Sequence, residues 1–119
     1  MALLRREDIA AERVSLSSRH TLTFPELTID GRSQQAFQNG TALALTRIEF
    51  NMLLFLASNP GVTLSKEDLF SAVWGRDSAD TLKVVANTVS NLRRKMGGSQ
   101  TYIRTVRGGY VFSAVSATA

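Results

Sequence analysis

Between Thr21 and Leu45 the apolar positions come in short runs broken by turn residues: Thr21–Phe24, Leu27–Ile29, Gln34–Phe37 and Ala42–Leu45. Asp30-Gly31 and Asn39-Gly40 lie between such runs, and these dipeptides are the strongest short-range hairpin signals. The segment predicts a small antiparallel sheet of four strands, two of them very short. At Thr46 the pattern becomes helical. Thr46 and Glu49 have the spacing of a capping box, in which the Thr hydroxyl accepts from the Glu backbone N–H and the Glu carboxylate accepts from the Thr backbone N–H. The helix they open carries Ile48, Phe50, Met52, Leu53, Leu54, Phe55 and Leu56. Being apolar nearly all round, it is predicted to be the central helix of the core. Asn59-Pro60-Gly61 ends it.

A second capping pattern, Ser65-Lys66-Glu67-Asp68, starts a shorter helix through Leu69, Phe70, Val73 and Trp74, and a polar loop Gly75–Ala79 follows. Asp80 is expected to cap a third helix over Thr81–Met96, ended by Gly97-Gly98. Leu82, Val85, Val89, Leu92 and Met96 fall on one stripe of it, which is predicted to pack on the other helices. The opposite face collects Lys83, Asn87, Ser90, Asn91 and Arg94. Last come two strand-like runs, Tyr102–Arg107 and Tyr110–Phe112, joined by Gly108-Gly109 as a hairpin. Residues 1–18 read as a linker or tail with a short helical turn at Ala2–Arg6. Residues 19–115 read as one folded domain, and 116–119 as a second tail.

Charge changes the picture at the C-terminal end. All ten acidic residues stand at or before Asp80. Beyond it come six basic residues and no acid: Lys83, Arg93, Arg94, Lys95, Arg104 and Arg107. The net charge of +4 therefore arises entirely in the third helix and the hairpin. A solvent-facing helix without a task would normally mix Glu with its Lys and Arg, since i,i+4 pairs stabilise it. A one-sign field on two adjacent elements fits a polyanion partner. Asn can bond adenine bidentately, and Arg and Lys serve guanine edges or phosphates. In the hairpin, Arg104 and Arg107 flank a tip without bulky side chains, suited to a narrow minor groove. The bland alternative is a solvated basic face and an ordinary tight turn.

Other chemistry finds little material. There is no cysteine and a single histidine, His20, so the sequence predicts no catalysis, no metal site and no cofactor. No apolar run approaches the roughly 18 residues of a membrane span, and a cytoplasmic location is expected.

Taken together, several motifs resemble the winged-helix effector domain of OmpR/PhoB-type response regulators. They are Leu45-Thr46 with Glu49-Phe50, Pro60-Gly61, Ser65, Val73-Trp74-Gly75, Leu92-Arg93-Arg94-Lys95 and Ile103-Arg104-Thr105-Val106-Arg107-Gly108. The resemblance covers roughly residues 20–113. It implies an α+β winged helix-turn-helix: an N-terminal four-stranded antiparallel sheet, a three-helix core and a C-terminal hairpin wing. By position it implies that Lys83, Val84, Asn87, Thr88 and Asn91 face bases or the groove, and that Ser90 and Arg93 face the DNA backbone. Trp74 and Tyr110 match phosphate-contacting positions, and Thr105 and Arg107 match wing residues near DNA. Arg94, Lys95, Arg104 and Gly108 complete the expected DNA-facing set. The loop Gly75, Arg76, Asp77, Ser78, Ala79 corresponds to a segment that touches RNA polymerase in some members. Met1–Arg6 looks like the end of a receiver domain's last helix.

The function implied is sequence-specific binding of double-stranded promoter DNA in a bacterial two-component phosphorelay. The third helix would lie in the major groove and the wing at the minor groove. A monomer alone would pair head-to-tail on direct repeats, with a receiver domain in the full-length protein. Two departures stand out. The family usually writes Arg-Gly-x-Gly-Tyr at the wing tip, whereas Arg107-Gly108-Gly109-Tyr110 is one residue shorter, so a tighter tip is expected. Positions 87, 88 and 91, often Val, His and Arg, are here Asn, Thr and Asn, so no sequence preference transfers. A second reading stays open: a winged helix that has lost DNA and works through the Gly75–Ala79 loop as a protein-interaction module.

Overall fold

The computed structural model describes residues 21–75, 80–97 and 102–113. Both expected tails, the Ala2–Arg6 turn and His20 lie outside the described residues. The first element is an antiparallel meander in the order β1-β2-β3-β4: β1 Thr21–Phe24, β2 Leu27–Asp30, β3 Gln35–Gln38 and β4 Thr41–Ala42. Its turns explain its register. Pro25-Glu26 joins β1 to β2, with Phe24 opposite Leu27 and Glu26 at φ 64°. Asn39 and Gly40 both take positive φ, 53° and 82°, between the paired residues Gln38 and Thr41. That is the sign pattern of a type I′ hairpin turn, whose twist matches that of the strands.

Two strands sit slightly differently from the sequence expectation. Gln34, placed at the start of β3, has φ 58° and belongs to the turn, so β3 begins at Gln35. The Asp30 carboxylate holds that turn by accepting from the backbone N–H of Arg32 at 2.9 Å and the Ser33 hydroxyl at 2.9 Å. The fourth strand was expected over Ala42–Leu45, but the Asn39-Gly40 turn starts it at Thr41 and it ends at Ala42. Leu43 still donates to Ala36 O, and Leu45 then donates back to Leu43 O, bending the chain toward the first helix. Leu27, Ile29 and Ala36 form the buried face of the sheet.

Three helices follow: α1 Arg47–Ser58, α2 Lys66–Val73 and α3 Lys83–Lys95. Both capping boxes form, Thr46 with Glu49 and Ser65 with Asp68. Phe50, Met52, Leu53, Leu54, Leu56 and Ala57 of α1 are all buried, and α1 touches α2, α3 and the last strand. It is the central helix, as its pattern implied. Asn59 closes α1 with its side-chain amide donating to Phe55 O at 2.9 Å.

The start of α3 differs from expectation. Its N-cap position falls on Leu82, not Asp80, and no side chain caps it there. Val84 and Val85 donate to Thr81 O and Leu82 O, a tight i→i−3 opening turn. Leu82, outside the regular helix, is therefore 37% exposed rather than part of the inner stripe. The buried stripe gains Thr88 and is Val85, Thr88, Val89, Leu92 and Met96.

The C-terminal hairpin pairs β5 Ile103–Val106 with β6 Gly109–Phe112. Val106 stands opposite Gly109, so the two turn residues are Arg107 and Gly108, not the expected Gly108-Gly109. The reason lies on the other side of β6. Leu64 and Tyr110 exchange backbone hydrogen bonds of 2.8 and 2.9 Å, and Gly61 donates to Phe112 O at 2.8 Å. The α1–α2 connection thus lies along β6 so closely that a Cβ on Gly109 would stand 2.0 Å from Leu64 O. Gly109 is needed in the strand, which leaves Gly108, at φ 93°, to make the turn. Phe112 anchors the hairpin, its ring centroid 4.9 Å from that of Phe24 and 5.7 Å from that of Tyr102.

Gly109→Ala should therefore cost about 2–4 kcal/mol, through overpacking against backbone and loss of the Leu64–Tyr110 bonds. Gly108→Ala, which meets nothing within 4 Å, should cost only the left-handed backbone penalty of about 1–2 kcal/mol. Urea unfolding of the two variants checks the order, and equal losses would contradict the close-approach explanation.

Candidate nucleic-acid interface

Helix α3 exposes one line of side chains, Lys83, Asn87, Ser90 and Arg94, with Asn91 half-buried beside it. The spacing of 4, 3 and 4 keeps them on one face, opposite the buried stripe. No carboxylate interrupts that face. Arg94 Nη2 donates to Asn91 Oδ1 at 2.8 Å, so the two side chains are held as a pair. In the hairpin Arg104, Thr105, Arg107 and Gly108 are exposed. Lys83, Arg94, Arg104 and Arg107 are thus four exposed cations on two consecutive elements.

The two remaining cations of this region are used inside the molecule. Lys95 Nζ donates to Glu49 Oε1 at 2.7 Å and to Ala44 O at 3.0 Å. Its ammonium thus ties the end of α3 to the start of α1. Arg93 Nε donates to Ile103 O at 3.0 Å, its Nη2 donates to Thr105 Oγ1 at 2.8 Å, and its guanidinium lies 5.7 Å from the centre of the Tyr110 ring.

Other expected site residues are wholly or partly buried. Thr88, expected at the groove, is only 9% exposed. With Val85, Val89 and Leu92 it makes the i, i+3, i+4, i+7 set of a buried face. Val84 is half-buried and packs against the core. Tyr110 is buried beneath Arg93. Trp74 is half-buried and stacks on Phe70, with ring centroids 5.6 Å apart. Gly75 follows it at φ 90°, while Arg76, Asp77, Ser78 and Ala79 lie outside the described residues. A cleft of about 400 Å³ separates the start of α2, at Lys66 and Glu67, from the hairpin at Thr105, Gly108 and Tyr110.

Glu49 is the acid that sequence reasoning read only as a cap. Burial pushes its carboxyl pKa up, but the Lys95 hydrogen bond and charge and the Thr46 backbone N–H outweigh this. The net value is held below the ordinary 4.5. The Thr46–Glu49 spacing signalled the cap, but nothing local signalled Lys95, 46 residues away. Arg93 was legible as a cation and not as a brace, since its partners are 10 and 12 residues away on another element.

A helix pair packed on a central helix, followed by a hairpin that carries exposed cations and is bonded to the second helix through Arg93, is a winged helix-turn-helix, a class of DNA-binding domain. The chain belongs to the effector-domain family of OmpR/PhoB-type response regulators: the family described as "Transcriptional regulatory protein, C terminal" matches residues 40–112. It is similar to the transcriptional regulatory protein VxrB of Vibrio cholerae, with 43% identity over 89 residues, 74% of this chain and 36% of VxrB. It is also similar to PrrA of Mycobacterium tuberculosis, with 39% identity over 113 residues, 92% of this chain and 47% of PrrA. The chain spans less than half the length of either regulator.

Among solved structures, the DNA-binding domain of Klebsiella pneumoniae RstA in complex with the RstA box has a TM-score of 0.71 at 32% identity, covering 79% of this chain and 97% of that one. The DNA-binding domain of CpxR from E. coli has a TM-score of 0.70 at 33% identity, covering 81% and 99%. The chain is a transcription-regulating DNA-binding domain and not an enzyme. No helix among the described residues is long and apolar enough to cross a membrane.

Lys95→Met should lower stability at neutral pH by about 1–2 kcal/mol, because it leaves the Glu49 carboxylate buried without its cation. Since the folded pKa of Glu49 is depressed, the stability it contributes is fully present above 4.5 and is lost as pH falls through the lower folded value. The gap between wild type and Lys95→Met should therefore close on acidification. Urea unfolding across a pH series measures it, and a gap that stays constant below pH 4.5 would remove the Glu49–Lys95 pair from the account.

Proposed function

We infer that this domain binds double-stranded promoter DNA sequence-specifically, with α3 in the major groove and the β5–β6 hairpin at the adjacent minor groove. The observation that carries the reading is the carboxylate-free exposed line Lys83, Asn87, Ser90 and Arg94, continuous in charge with Arg104 and Arg107. The RstA domain, a structural neighbour, is described in complex with its RstA box. Lys83, Asn87 and Asn91 are the base readers in this reading. Ser90, Arg94 and Trp74 contact phosphates, and Arg107 enters the minor groove beside Gly108. A module of this size buries only roughly 600–1,000 Å² against DNA, so single-copy affinity is weak. Head-to-tail pairing on direct repeats, strengthened by a receiver domain in the full-length protein, supplies the rest. In this reading the Gly75–Ala79 segment is the one that contacts RNA polymerase.

Selection from a random duplex pool, repeated with single variants, tests this assignment. Asn87→Ala should change the preferred bases at one position of the enriched site, each lost base contact costing about 1–3 kcal/mol of discrimination. Arg104→Ala should weaken all duplexes alike and lower the salt slope by about one unit. Uniform weakening by Asn87→Ala, with no shift in preference, would refute its role as a base reader. If wild type retains no duplex at all, the interaction-module reading takes its place.

A further inference from the structure

The contacts of Arg93 form a pattern that phosphate anchoring does not require. All three are made from α3 to the hairpin, and they reach both of its strands: Ile103 O and Thr105 Oγ1 on β5, and the Tyr110 ring on β6. The two strands are held unequally elsewhere. On its far side β6 is bonded to the α1–α2 connection through Leu64 and Gly61. Strand β5 has β6 on one edge and no strand partner on its other edge among the described residues. Arg93 grips that open edge. Its planar guanidinium offers donors in a fixed fork, so two bonds and a ring contact set an angle as well as a distance. A Lys would keep the charge and lose the fork.

We propose that Arg93 is a positioning residue that fixes the angle between α3 and the wing, so that major-groove and minor-groove contacts form as one unit. This rests on the DNA-binding reading above. Arg93 links Lys83, Asn87 and Asn91 on α3 to Arg107 at the hairpin tip. With the angle fixed, the tip is already placed when the helix is seated, and no orientational freedom is lost at that step. With the angle free, each element binds at its own cost and the contacts become independent.

Two measurements on the full chain test this, with Arg93→Lys and Thr105→Val as variants. Thr105→Val removes one partner while leaving the guanidinium in place. Without DNA, backbone amide exchange across Ile103–Tyr110 should rise about tenfold in both variants, with α1 unchanged. Unchanged hairpin exchange in both would overturn the proposal. With the duplex enriched in the selection, affinities of Asn87→Ala, Arg107→Ala and the double variant form a cycle. In the presence of Arg93 the double variant should lose less than the product of the single losses, by about threefold or more. In the Arg93→Lys background the single losses should multiply. The same coupling in both backgrounds would make Arg93 a phosphate contact only and overturn the proposal. If wild type binds no duplex, the DNA-binding reading fails, and the exchange measurement alone decides the role of Arg93 in holding the wing.

Discussion

One carboxylate sets the frame on which the rest is hung. Glu49 accepts from the Thr46 backbone N–H and so opens α1, and it accepts from Lys95 in the last turn of α3. Lys95 also holds Ala44 O in the segment leaving the sheet. The end of the meander, the central helix and α3 therefore meet at one ion pair whose acid is almost fully buried. A paired charge in that position adds direction to the unspecific apolar packing of the core, to which Phe50, Leu53, Val89 and Leu92 belong. The exposed line of α3 then points where it does because both the buried stripe and the C-terminal end of the helix are fixed.

The basic third of the chain divides by task. Lys95 and Arg93 orient α3, the first toward the core and the second toward the hairpin, and they are half-buried accordingly. Lys83, Arg94, Arg104 and Arg107 remain exposed. A count of positive charge overstates the electrostatic surface and misses that the same residue type supplies its rigidity. Gly109 does for the hairpin what Lys95 does for the helix: by admitting Leu64 O to contact distance it lets the α1–α2 connection extend the hairpin sheet. The shortened Arg107-Gly108-Gly109-Tyr110 tip is thereby locked to the core within one residue of its turn.

What was legible in the sequence was local. The Thr46–Glu49 and Ser65–Asp68 boxes, the Asn39-Gly40 turn and the all-round apolar α1 each declare themselves within a few residues, and each forms. The errors came where distant partners decide. Asp80 has the right chemistry for an N-cap, yet the chain enters α3 through a tight turn and Leu82 takes the cap position, which exposes Leu82. The resemblance implied a groove-facing Thr88, whereas its spacing from Val85, Val89 and Leu92 belongs to the buried face. Gly108-Gly109 read as a turn because nothing nearby in the chain reveals that Leu64 needs the second glycine. The family resemblance implied a set of groove-facing positions, of which Lys83 and Asn87 are exposed while Thr88 is buried.

The most direct test of the central claim is to map the surface that DNA touches, by following backbone amide resonances of the chain as a short random-sequence duplex is added at low salt. The account predicts shifts along Lys83, Asn87, Ser90, Asn91 and Arg94 and at Arg104–Gly108, leaving the four-stranded sheet unperturbed. Shifts centred on the sheet, or none on α3 and the hairpin, would contradict it.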